Sequence, residues 1–147
     1  MTKSEIKKFL MKDTFTGKLA TVKTNGSPHV VPIWLVVEVN SRNRNTVGDI
    51  YFTTGRDSVK AKNIQRDSRI SICVDDQTPP FSFVSICGNA KLIPYRQKEV
   101  LKWATKIAER YMGKKNAKAY GERNSGEDEV LVRIRPIKII AEKDVAI

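Results

Sequence analysis

Apolar positions recur along much of the chain with the two-residue period of half-buried strands, and at three places the period changes to that of a helix. Near the start, Ile6, Phe9 and Leu10 stand at helical spacing and predict a short amphipathic helix. Gly17 opens KLATVKT, an alternating run read as a strand, and Asn25–Pro28 has the composition of a turn, so a hairpin is expected. The next run, HVVPIWLVVEV, is the longest apolar stretch, and its β-branched content favours a strand. Pro32 lies inside it and brings no N–H to a ladder, which marks an edge or a bulge. The polar run NSRNRNTVGD reads as a loop, and DIYFTT as the returning strand.

Beyond a helix discussed below, RISICVDD predicts a strand, DQTPP a turn, and FSFVSICGNAKLI a long strand that Gly88 bends or bulges. From Arg96 to about Ala119, Val100, Leu101, Trp103, Ala104, Ile107, Ala108 and Tyr111 form an apolar stripe, with a break at Gly113. GERNSGEDE reads as a loop in which Glu127, Asp128 and Glu129 are solvated, and VLVRIRPIKII as the last strand. Consecutive strands punctuated by Gly and Pro argue for a mainly β antiparallel barrel with peripheral helices, not a doubly wound sheet. No internal repeat or low-complexity segment is present.

A chain of 147 residues is expected to form one domain, residues 1–147, burying roughly 70% of the surface its unfolded form exposes. No apolar run approaches the ~20 residues of a membrane span, and MTKSEIKKFL is charged, unlike a secretory signal. A soluble, cytoplasmic protein with no membrane partner is the expectation. Cys73 and Cys87 lie in apolar runs at a spacing that fits no metal site, and are expected to be buried free thiols. The one histidine, His29, supports neither a two-histidine metal site nor a histidine-activated nucleophile. The formal charge of +11 invites a nucleic-acid reading. The basic residues are spread along the chain without a recognisable nucleic-acid motif, so specific nucleic-acid binding is not expected, and the charge suits an anionic coenzyme equally well.

The stretch RDSVKAKNIQRDSR, Arg56 to Arg69, concentrates cations directly behind the strand DIYFTTG. Asp57 or Ser58 can cap a helix starting near Val59, leaving backbone N–H groups free at its first turn. Thr53 and Thr54 bring hydroxyls to the same corner. Lys60, in the first turn, opposes the helix dipole by about 0.3–1 kcal/mol, a penalty that a bound phosphate reverses. At ~100° per residue Lys62, Arg66 and Arg69 share a stripe, and Lys60 projects away from it. Lys60, with Ser58 and the two threonines, is therefore read as an anion site; Lys62 and Arg66 form a solvated face, and Arg69 starts the next strand.

Three co-ordered segments, LATVKTNGSPHVVPIWLVVE, IYFTTGRDSVKAKNIQRDSRISICVDD and FVSICGNAKLI, resemble the pyridoxamine-phosphate-oxidase-like split barrels, in particular the small branch that binds FMN or the deazaflavin coenzyme F-420. The resemblance spans about Gly17 to Ile93 and resumes weakly at VLVRIRPIKI. It implies a six-stranded antiparallel split β-barrel that dimerises, with cofactor sites at the subunit interface. It places Thr53, Thr54, Ser58 and Lys60 at the cofactor phosphate and Pro32, Ile33 and Trp34 along the ring. Arg56 and Lys62 are near enough to screen the anionic polyglutamyl tail of a deazaflavin.

The chain also departs from that pattern. Phe83 stands where pyridoxamine phosphate oxidases carry a glutamine, and RPIKIIAEKDVAI lacks their tryptophan- and arginine-bearing C-terminal segment. Oxidation of vitamin B6 is accordingly not expected. The reading is a flavin- or deazaflavin-dependent oxidoreductase acting on a small organic substrate, with coenzyme F-420 or FMN as cofactor, in which the cofactor carries the hard chemistry. A carrier or sensor of the same cofactor is the alternative.

Overall fold

The computed structural model describes residues 1–38 and 47–147, so most of the polar run predicted as a loop, Asn40–Thr46, lies outside the described residues. The elements are α1 (Lys3–Leu10), β1 (Gly17–Val22), β2 (Pro28–Ile33), β3 (Val36–Val37), β4 (Ile50–Gly55), α2 (Val59–Arg66), β5 (Arg69–Asp75), β6 (Phe83–Ile93), α3 (Gln97–Met112), α4 (Lys114–Arg123) and β7 (Glu129–Glu142). No helix among the described residues is long and apolar enough to cross a membrane.

All the strands belong to one sheet in the order β2-β1-β5-β6-β7-β4-β3, with every pairing antiparallel. Its two outermost strands, β2 and β3, are consecutive in the chain and joined only by Trp34 and Leu35. Such a link spans roughly 10 Å at most, so the sheet must curl until its edges nearly meet. That is a split barrel, and the seam lies at Trp34–Leu35. The expected barrel is therefore present, but HVVPIWLVVEV is not one strand: it leaves one edge of the sheet after Ile33 and joins the other at Val36, which gives seven strands among the described residues where the family resemblance implies six. Pro32 sits on edge strand β2, opposite Lys18 of β1, where its missing N–H costs no second ladder.

The barrel interior is filled by Leu19, Leu35, Phe52, Ile72, Val84, Ile86 and Ile134, with Leu10 of α1 closing one end. Outside the barrel, α3 lays Val100, Trp103 and Ile107 against Val36, Tyr51 and Leu131. The Tyr51 and Trp103 rings stack with centroids 4.0 Å apart. Strands β4 and β7 are thus covered on both faces, which explains why IYF and VLV show no alternation.

Two cysteines expected inside are not. Cys87 is exposed and Cys73 half-buried, both as free thiols. Ile70, Ile72 and Val74 of β5 and Val84 and Ile86 of β6 take the inward positions, and strand alternation sends Cys73 and Cys87 to the outer face. The end of α4 also corrects the loop reading of GERNSGEDE, since Gly121–Arg123 are helical and Glu129 begins β7.

Gly88 marks the bulge expected of it, a register shift against β7 between Cys87 and Gly88. A Cβ at this position would lie 2.3 Å from the Arg135 carbonyl oxygen, a backbone atom that cannot turn aside. Gly88→Ala should therefore destabilise the protein by about 1–3 kcal/mol, the usual cost of overpacking. A urea midpoint equal to that of the wild type would contradict this.

Candidate functional site at the β4–α2 corner

β4 runs out through Thr53, Thr54 and Gly55, and the chain turns into α2 with the Ser58 amide donating to the Gly55 carbonyl at 3.1 Å. Ser58 is the N-cap: its Oγ accepts from the Ala61 amide at 3.2 Å and from the Thr54 hydroxyl at 3.2 Å. Accepting twice leaves the Ser58 proton to be donated outward.

α2 is fixed in rotation by its inner side. Ala61 and Ile64 enter the core, and the buried Asn63 amide donates to the buried Thr21 hydroxyl of β1 at 3.0 Å. Arg66 was read as part of a solvated face. Its stem is exposed, but its guanidinium donates to the Val22 carbonyl and to Asn63 Oδ1, pinning the end of α2 to β1. With α2 held this way, Lys60 is half-buried and Lys62 exposed, as the helical spacing predicts.

Lys60 opens into a cavity of about 310 Å³. Pro32, Ile33 and Trp34 from the seam of the barrel form one wall, and Thr53, Thr54 and Gly55 form the floor beside Lys60. Six of the eight residues singled out from the sequence thus line one cavity. Ser58 stands behind Thr54 through their hydroxyl contact, and Arg56 turns away, its guanidinium 5.9 Å from the Tyr95 ring centroid. Trp34 is itself held, stacked on Tyr111 of α3 with centroids 5.1 Å apart and an interplanar angle of 5°.

The remaining lining was not read from the sequence. Ala104 and Ile107 of α3 and Asn124 beyond α4 cover the cavity, and Glu129 faces it from the first position of β7. Glu129 was expected in a solvated loop. The β4–β7 ladder sets it opposite Gly55, and the Arg56 amide donates to the Asp128 carbonyl at 2.7 Å, so this acid is delivered to the corner by strand pairing. Knowing that β4 pairs with β7 would have revealed it.

The two charges are poorly solvated. Burial lowers the Lys60 pKa below the ordinary lysine value, and Glu129 partly offsets this. Burial, then Asp128, raise the Glu129 carboxyl above the ordinary glutamate value, opposed by Lys60. Among the described residues neither side chain makes a hydrogen bond or an ion pair. The corner therefore holds an ammonium, hydroxyl donors and a facing carboxylate around open space.

A larger cavity, about 570 Å³, lies on the other side of α3 between Val36–Glu38 and Lys102, Trp103 and Lys106. None of the predicted site residues reaches it. Its arginine, Arg110, is committed to backbone carbonyls of Leu10, Asp13 and Leu35.

Fold and cavity together define a split-barrel protein with a cleft at the barrel seam lined by a lysine, threonine hydroxyls and a glutamate. The chain belongs to the pyridoxamine 5'-phosphate oxidase family, whose model matches residues 2–141. It is similar in structure to a conserved hypothetical protein from Mycobacterium tuberculosis, with a TM-score of 0.82 and 27% identity, covering 98% of this chain and 86% of that one. An F-420 reductase shares the fold with a TM-score of 0.65 and 22% identity, covering 90% of this chain and 94% of that one. The haem storage protein HutZ from Vibrio cholerae shares it at 0.69 and 17% identity, covering 93% and 92%. A comparison with curated protein sequences gives no match. Proteins of this fold thus include a reductase and a haem storage protein, and the fold alone does not choose among them.

Proposed function

We propose that the protein is an oxidoreductase that holds a flavin-type cofactor, coenzyme F-420 or FMN, in the cavity between the barrel seam and the β4–α2 corner. The observation that carries this reading is the meeting of Pro32–Trp34, Thr53, Thr54 and Lys60 in one cleft, although these segments lie far apart in the chain.

The donor set fits such a group. Lys60 and the Thr53 hydroxyl suit the phosphate directly, with the Thr54–Ser58 hydroxyl pair behind them, since charge-assisted hydrogen bonds are the strong ones. The flat, apolar wall of Pro32, Ile33 and Trp34 suits a planar ring, and Ala104 and Ile107 exclude water from the same space. The bound cofactor supplies the hydride chemistry; the chain supplies binding, orientation and a dry wall. That division suits a cavity whose titratable lining among the described residues is Lys60 and Glu129, without histidine or cysteine.

A cavity of 310 Å³ is at the small end for a cofactor pocket. The proposal therefore includes a homodimer in which a second copy completes the site. Val30 of β2 and Ile137 and Ile140 of β7 are apolar and exposed, which provides surface for such contact. The cytoplasm, with its reduced coenzyme pool, is the proposed compartment, and a small organic molecule the proposed substrate.

Sedimentation of the protein with FMN or F-420, followed at the cofactor's visible absorption band, tests the reading. Cofactor absorbance should move with a species of twice the 16.6 kDa chain mass. Cofactor that stays behind while the protein sediments would contradict the proposal. Reoxidation of the reduced complex by an added acceptor separates an enzyme from a carrier that uses the same residues.

A further inference from the structure

We infer that Glu129 makes the β4–α2 corner selective for charge, so that it takes a singly charged phosphate, such as the phosphodiester of a deazaflavin coenzyme, in preference to the doubly charged monoester of FMN. The inference rests on the proposal that a cofactor phosphate sits beside Lys60.

Its basis is the geometry of the cleft. A site built only to hold a phosphate dianion gains from every cation and loses from every acid placed in it. Here Lys60 is the one cation lining the cavity among the described residues, and Glu129 lines it too. Strand pairing fixes Glu129 in place: its residue is opposite Gly55, its amide donates to Gly126 at 2.9 Å, and the preceding carbonyl is held by Arg56. The backbone that carries the acid cannot move away without unzipping the end of the β4–β7 ladder. The charged groups acting on it are Lys60 from α2 and its own neighbour Asp128; α3 contributes Ala104 and Ile107, and the segment after α4 contributes neutral Asn124.

Charge counting then separates the two ligands. Lys60 and ionised Glu129 together are neutral. A phosphodiester brings one negative charge to that corner, and a phosphomonoester at pH 8 brings two. Close like charges disfavour joint ionisation, so the dianion enters with a proton taken from solvent and shared with Glu129. The monoanion enters without one. The direction of the Glu129 shift agrees with this order, since burial and Asp128 raise its pKa and so ease uptake of that proton.

The test compares two ligands with the same ring, FMN and riboflavin 4',5'-cyclic phosphate, a phosphodiester, at pH 8 where the FMN phosphate is a dianion. Glu129→Gln keeps the side-chain shape and removes the charge. It should tighten FMN by about tenfold or more and the cyclic phosphate by clearly less, with each unit of pKa coupling worth a factor of ten. Calorimetry of the wild type in buffers of different ionisation heat should show proton uptake with FMN and none with the cyclic phosphate. Equal gains for both ligands in the variant, or equal proton counts in the wild type, overturn the inference while leaving the phosphate site in place. Affinities for both ligands that are also unchanged in Lys60→Ala would remove the phosphate site itself, and this inference with it.

Discussion

Arg110→Met is expected to destabilise the protein by about 3 kcal/mol, with the melting temperature falling by about 6–12 °C. Arg110 lies in the last turn of α3, far from β1 and β2 in sequence. Its guanidinium donates to the carbonyls of Leu35 at 2.6 Å, Leu10 at 2.8 Å and Asp13 at 3.1 Å, with longer contacts to Lys12 and Phe15. Those carbonyls end α1, begin the approach to β1 and form the barrel seam, so one side chain holds three segments against α3. Its neighbour Tyr111 adds a second tie, donating to the Phe15 carbonyl at 2.8 Å and accepting from the Leu35 amide at 3.1 Å.

Burial lowers the Arg110 pKa from the ordinary arginine value, so the carbonyl dipoles are what keep its charge tolerable. Methionine fills the space of the stem but leaves the carbonyls without a donor, which costs about 1–3 kcal/mol for each buried group left unpaired. Removing a desolvated charge offsets part of this, hence the intermediate figure. Arg110→Lys should recover less than half of the loss, because one ammonium cannot reach carbonyls spread around a planar fork. A loss below about 0.5 kcal/mol for Arg110→Met, the range of an ordinary surface change, would show that the carbonyl cluster is ornamental.

Local rules made much of this molecule legible before its structure. The Ser58 cap, the opposite exposure of Lys60 and Lys62, the bulge at Gly88 and the helix break at Gly113 all follow from interactions within a few residues. The missed features depend on which strands become neighbours. Leu35 and Val36 are as apolar as the strand before them, so nothing local reveals that the chain changes edges there. Glu129 resembles any acid in a polar loop until β7 is laid beside β4. Cys73 and Cys87 sit in runs where outward positions are also weakly polar, which hides the alternation that exposes them. Arg66 reads as a surface cation because the carbonyl it caps belongs to a distant strand, and nothing local singles out Arg110, whose carbonyls also belong to distant segments. Pairing and closure are long-range facts, and a charged residue's role inside them is set by its partner's position.

Lys60→Ala is the second change with a large expected effect. If the phosphate of a flavin-type cofactor lies at this corner, the variant loses a charge-assisted contact of about 1.5–3 kcal/mol, a ten- to more than hundredfold weakening. Lys62→Ala removes the same charge two residues away, on the exposed side of α2, and should change FMN affinity by less than about threefold. Without ligand the effect on stability has the opposite sign. Lys60 is a desolvated first-turn ammonium without a direct partner among the described residues, so alanine should leave the apo-protein equally stable or slightly more so.

The pH dependence follows from the direction of the shift. A lysine pKa lowered on folding means that the folded state holds this proton less tightly than the unfolded chain does. The penalty is fully present below the folded pKa and disappears as pH rises through it towards the unfolded value of about 10.4. Wild-type apo-protein should therefore gain stability relative to Lys60→Ala across that alkaline window.

The most direct test of the cofactor site is fluorescence titration of wild type, Lys60→Ala and Lys62→Ala with FMN, and with riboflavin, which lacks the phosphate. The account predicts that Lys60→Ala weakens FMN at least about tenfold while Lys62→Ala stays within about threefold, and that riboflavin binds all three proteins alike. Equal losses for the two lysine variants, or an equal loss of riboflavin in Lys60→Ala, would show that the corner at Thr53–Lys60 is a diffuse basic surface and not a phosphate site.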